Sequence, residues 1–78
     1  MIMKEEIIGF IEEINEYEDF DDDTDLFENG ILDSLSLVLL ITNIEERLGV
    51  FIPEEVVTLE NFATVNKIAG MVSSLKGE

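Results

Sequence analysis

The chain contains no cysteine, no histidine and no tryptophan, a single proline and only four basic residues. Without cysteine there is no disulfide and no thiol nucleophile, and without histidine there is no imidazole base and no zinc centre of the usual ligands. Ser-His-Asp and Cys-His catalysis are therefore excluded. No stretch approaches the ~18 uninterrupted apolar residues of a membrane span. The start, Met1-Ile2-Met3-Lys4-Glu5-Glu6, turns acidic where a secretory signal would continue apolar. These absences predict a cytoplasmic location and no membrane insertion.

What is abundant is acid. Nineteen acidic residues against four basic ones give a net charge of −15, which opposes binding to nucleic acid and to anionic membranes and favours basic protein surfaces. The charge is uneven: residues 1–33 hold 13 acids and one base, whereas residues 34–78 hold six acids and three bases. Seventy-eight residues make one small domain, expected to span 1–78, that buries only about 60% of its unfolded surface and has no room for a deep cleft. A monomer is expected.

Helical periodicity dominates. Met3, Ile7, Phe10, Ile11 and Ile14 recur at helical spacing with Glu5, Glu6, Glu12, Glu13 and Glu16 on the other faces, predicting an amphipathic helix over 3–16. Six acids in the eight residues Glu18 to Asp25 then repel one another and predict a loop. Leu26, Phe27, Ile31 and Leu32, around the turn at Asn29-Gly30, are apolar anchors for that loop. A second helix is expected from Ser34 to Leu48, stopping at Gly49. Its residues Leu37, Leu40, Ile41, Ile44 and Leu48 form a core stripe, while Leu35, Val38, Leu39 and Thr42 form a second ladder on an adjoining face. Either this helix is central and covered on most sides, or the ladder is an exposed binding patch; Leu35 and Leu39 are read as exposed, and Val38 is open between the two.

Pro53 fits the start of a short third helix, with Glu54 and Glu55 near its positive end and Val56, Val57 and Leu59 packing inward. Thr64 caps a last helix whose stripe is Val65, Ile68, Ala69, Val72 and Leu75, ahead of a fraying Lys76-Gly77-Glu78. The sum is an all-α fold, a four-helix bundle with three longer helices and one short.

Two patterns suggest chemistry. Asp19, Asp21 and Asp23 have the 1, 3, 5 spacing of an EF-hand, but the sixth position is Thr24 where glycine is needed and the twelfth is Gly30 where a bidentate glutamate is needed. No metal site is assigned; weak, non-specific cation binding is the most this loop supports. The second pattern is Asp33-Ser34-Leu35, which puts a serine hydroxyl at the head of an apolar helix. A helix N-terminus carries unpaired N–H groups and about half a positive charge, so a phosphate attached there is stabilised where it stands. A serine that is modified fits this position better than one that attacks. An aspartate or serine that merely caps the helix is the plainer reading of the same tripeptide.

The order of the longer stretch decides between them. Phe27-Glu28-Asn29-Gly30-Ile31-Leu32-Asp33-Ser34-Leu35, followed by Glu45-Glu46-Arg47-Leu48-Gly49-Val50-Phe51-Ile52-Pro53, resembles the carrier-protein family of acyl, peptidyl and D-alanyl carriers. The resemblance implies a fold of the acyl-carrier type and 4′-phosphopantetheine, taken from coenzyme A, on Ser34, flanked by Asp33 and Leu35. It implies an acyl or aminoacyl cargo held as a thioester at the end of that arm. It also implies recognition by partners through Glu45 and Glu46, and the ladder residues Val38, Leu39 and Thr42 are candidates beside them. The implied partners are a phosphopantetheinyl transferase, a cargo-loading ligase or acyltransferase, and downstream transfer enzymes with basic or apolar docking surfaces. Fatty-acid carriers typically have an acid where this chain has Leu39, and Glu60-Asn61-Phe62-Ala63-Thr64-Val65-Asn66-Lys67-Ile68 looks like the matching stretch of D-alanyl carriers, which together point toward amino-acid cargo. Two other classes use the same features: an acidic interaction module without a prosthetic group, which has no need of Ser34, and a small calcium sensor built on residues 19–30.

Overall fold

A computed structural model describes residues 3–15 and 19–77. The Met3 side chain, Glu16, Glu18 and Glu78, which entered the sequence reading, lie outside the described residues. Among the described residues three α-helices carry the fold: α1 (Met3–Ile14), α2 (Ser34–Leu48) and α3 (Val65–Lys76). The short third helix expected after Pro53 is a single 3₁₀ turn, Glu54–Val56. Its brevity has a local cause. Three β-branched residues, Val56, Val57 and Thr58, follow its acids and are poor helix formers, and the Asn61 side-chain amide donates to the Val56 carbonyl at 2.8 Å, satisfying an acceptor that a continuing helix would use.

The central element is α1, which packs against both α2 and α3. Its stripe of Ile7, Phe10 and Ile11 is buried, with Ile14 partly buried beside it. The helix runs to Ile14, and Asn15, which the spacing places in it, lies beyond its end with its side-chain amide turned toward the Ile31 carbonyl at 3.4 Å. Leu40 and Ile44 of α2 and Val65, Ile68 and Val72 of α3 close on α1, and Leu37, Ile41, Leu48, Ala69 and Leu75 pack at the margin. Thus α2 is not the covered centre of the bundle, and its second ladder stays outside the core.

The acidic connection is tied at several points despite its charge. Leu26, Ile31 and Leu32 are buried, and Phe27 is partly buried. The Leu26 N–H donates to the Ala63 carbonyl at 2.7 Å, while Ile31 and Leu32 both donate to the Leu26 carbonyl. At its acidic end the Asp22 carboxylate meets Lys4 Nζ at 3.0 Å, the Asp22 carbonyl accepts the Asn66 N–H, and the Asp23 carboxylate accepts the Asn66 side-chain amide at 2.7 Å. The acids are thereby held against the N-terminal ends of α1 and α3, where helix dipoles favour negative charge. Beyond α2, Val50 and Ile52 point inward and Phe51 outward, as an extended connector requires. Leu59, expected inward, is 68% exposed, and Phe62, in no helical pattern of the sequence, is fully buried.

Candidate functional site at the start of α2

The first turn of α2 separates the capping group from the exposed hydroxyl. Asp33 is the N-cap: it holds an extended backbone (φ −136°, ψ −170°), and its Oδ1 accepts the Ser36 N–H at 2.8 Å. Its carbonyl accepts the Leu37 N–H at 2.8 Å. The Ser36 N–H, with the Ser36 hydroxyl second, holds the Asp33 carboxyl below its ordinary 3.8. Ser34 therefore sits one residue inside the helix, exposed, with the capping role already filled by its neighbour. At the other end, Gly49 adopts the left-handed conformation (φ 66°) and its N–H returns to the Glu45 carbonyl.

The ladder that starts at Ser34 is open to solvent. Leu35 is 71% exposed, Val38 59% and Leu39 49%, and Thr42 is exposed with its hydroxyl donating to the Val38 carbonyl at 2.9 Å. This resolves Val38 as a surface residue. The two acids further along differ. Glu46 is exposed, whereas Glu45 is partly buried and its Oε2 accepts the Ile52 N–H at 2.9 Å, fastening the end of α2 to the connector. Between them and α1, Arg47 pairs with Glu13 at 3.0 Å and lies 5.3 Å from the Phe10 ring centroid. The Glu45 contact went unread because sequence spacing carries no sign of where the chain returns seven residues on.

Carboxylates of the acidic loop are engaged with the protein's own donors. The Asp21 Oδ1 accepts the Asp23 N–H and the Thr24 hydroxyl, each at 2.9 Å, and the former above all lowers the Asp21 carboxyl from its ordinary value. Among the described residues no group of three or more acidic side chains converges as metal ligands, and no helix is long and apolar enough to cross a membrane.

The chain matches the family model described as the phosphopantetheine attachment site over residues 5–72. It belongs to this family of phosphopantetheine-bearing carrier proteins. Such a protein holds cargo on a covalent 4′-phosphopantetheine arm, works with partner enzymes and performs no catalysis itself. Among its relatives is the D-alanyl carrier protein of Lactococcus lactis subsp. lactis strain IL1403, 40% identical over 78 residues that cover 97% of this chain and 99% of the relative. The D-alanyl carrier protein of Streptococcus sanguinis strain SK36 is 38% identical over 97% of this chain and 98% of its own length, and that of Listeria welshimeri serovar 6b is 33% identical over 97% and 100%. The described site fits the group: an exposed serine hydroxyl, not needed by the cap, lies at the positive end of a 15-residue helix.

Proposed function

We propose that Ser34 is the attachment residue and that the arm carries D-alanine as a thioester. The observation that supports the site is the exposed Ser34 one position inside α2, with Asp33 already capping the helix. Bound there, the phosphodiester sits where the helix's positive end favours an anion, and Asp33 and Leu35 frame it. The cargo rests on the relatives, which are D-alanyl carrier proteins at 32–40% identity over nearly their whole length. The apolar character of Leu39 accords with that choice.

In this reading a phosphopantetheinyl transferase moves the arm from coenzyme A to the Ser34 oxygen, and a ligase then charges the thiol. Partners dock beside Ser34 on Leu35, Val38, Leu39 and Thr42, with Glu46 offering a charge for a basic surface and Glu45 placing the end of the helix. The protein works as a cytoplasmic monomer. The test is intact mass after incubation with coenzyme A and a phosphopantetheinyl transferase, followed by D-alanine, ATP and a D-alanine-activating ligase. One phosphopantetheine and then one alanyl group should add to the wild type. Charging with a fatty-acyl group in preference to D-alanine would refute the cargo, and addition of the arm to Ser34→Ala would refute the site.

A further inference from the structure

A second exposed apolar surface lies off α2. Two non-helical segments, the end of the acidic connection and the stretch after the 3₁₀ turn, are joined by the Leu26 N–H to Ala63 carbonyl bond at 2.7 Å, with Leu26 and Phe62 fully buried. Above this joint runs an open groove of about 300 Å³ lined by Phe27, Leu59 and Ala63, with Asp25, Glu28 and Glu60 as its other walls. Its lining is mostly apolar, and its charged walls are all acidic. Leu59 stands 68% exposed against it. The rim is also fixed: Asp25 Oδ1 accepts the N–H groups of Phe27 and Glu28 at 3.1 and 2.9 Å, and Gly30 turns the chain with φ 73°. Lys67 opposes the rim charge at 3.8 Å from the Glu60 carboxylate, and both of those side chains are at least half exposed.

We infer that this groove docks a partner-protein segment that presents an apolar side chain next to an arginine or lysine. The argument is charge complementarity on an apolar floor. An apolar side chain covers Phe27, Leu59 and Ala63, while a neighbouring cation meets Glu28 and Glu60, displacing the loosely held Lys67. A second copy of the chain, itself at −15, and an anionic lipid surface are repelled by the same rim. The groove shares no lining residue with the α2 ladder or with Ser34.

The test titrates the full-length protein, labelled with nitrogen-15, with the peptide acetyl-Leu-Arg-Leu-Arg-amide and follows backbone amide shifts. Saturable shifts centred on Phe27, Glu28, Leu59, Glu60 and Ala63 are expected. Acetyl-Ser-Arg-Ser-Arg-amide, equal in charge, should bind at least fivefold more weakly, and Leu59→Ser or the double variant Glu28→Gln/Glu60→Gln should weaken the first peptide by a similar factor. Each of these changes is at an exposed position, so the fold is retained. Shifts spread evenly over residues 19–33, equal binding of the two peptides, or unchanged binding by Leu59→Ser would overturn the inference. So would shifts centred on Leu35, Val38 and Leu39, the absence of saturable binding, or the same groove amides moving with protein concentration alone.

Discussion

The carboxylate of Glu45 accepts the backbone N–H of Ile52 across the left-handed turn at Gly49, at 2.9 Å. One of two adjacent acids on α2 thus holds the architecture while the other, Glu46, faces water. Glu45→Ala should lower the unfolding free energy by about 1–2 kcal/mol through loss of a charge-assisted hydrogen bond, and Glu46→Ala should stay within about 0.5 kcal/mol. Urea denaturation of the two variants checks the contrast. Equal losses would mean that the Ile52 contact contributes nothing measurable.

Replacement of Ser34 should separate modification from folding. Ser34→Ala should gain no phosphopantetheine and should melt within a degree or two of the wild type, because the cap is Asp33. Ser36, Ser73 and Ser74 should remain unmodified; Ser36 lies two positions further along the helix, turned from the face that Ser34 presents. Intact mass and thermal melting on the same samples give both readings.

Core and surface alternate on neighbouring residues of α2. Leu40 is fully buried, and Leu40→Ala should cost about 2–5 kcal/mol, a large share of the stability of a small domain. Leu39 is 49% exposed and about 100° around the helix, so Leu39→Glu should change stability by less than about 1 kcal/mol while slowing cargo transfer by partners that dock on the ladder. Melting curves and the rate of charging of the pantetheinylated protein decide; unfolding by Leu39→Glu would return Leu39 to the core.

Acid should erase the contribution of the cap. The Asp33 carboxyl is held below 3.8 in the folded protein, chiefly by the Ser36 N–H, so it favours folding wherever it is ionised. That contribution is complete above the ordinary carboxylate range and is lost as pH falls from there through the folded value. The stability gap between the wild type and Asp33→Ala should therefore be constant near neutrality and narrow below about pH 4. Comparing the two variants cancels the general relief of charge repulsion that acid brings to the whole chain. A gap independent of pH down to 2 would show that the carboxylate charge is irrelevant to the cap.

Ionic strength should act on the acidic N-terminal half. Residues 1–33 carry a net charge of −12, and modest salt should raise the melting temperature by screening their repulsion. Calcium and magnesium at equal concentration should act alike, since Asp21 and Asp23 already accept hydrogen bonds within the fold. An effect of calcium alone, read by differential scanning calorimetry, would restore a specific site.

The helices were legible in the sequence where periodicity and end signals coincide. Helix α2 has the expected bounds because Asp33 and Gly49 bracket a continuous apolar pattern, and Thr64 caps α3 as read, its hydroxyl accepting the Lys67 N–H at 3.0 Å. The misreadings fall where the backbone is irregular. Between Pro53 and Thr64 there are too few residues for a period to show, so a single 3₁₀ turn passed for a helix, Leu59 for a core residue, and the burial of Phe62 left no mark. The exposed ladder was visible as a second stripe, but whether anything covered it depended on α1 taking the central place. The family resemblance singled out Ser34 as the expected attachment residue; the division between Ser34 and Asp33 required the geometry, because either residue is a good cap.

That division has a consequence for how the protein is read by others. A group added to an exposed hydroxyl that closes no turn disturbs no bond on which the helix relies, so bare, pantetheinylated and charged forms should share one backbone. Partners then have no altered scaffold by which to tell a laden molecule from an empty one. With the arm on Ser34 as proposed, the difference is sensed at the arm and its cargo, and the helix is left as a constant address to which the message is attached.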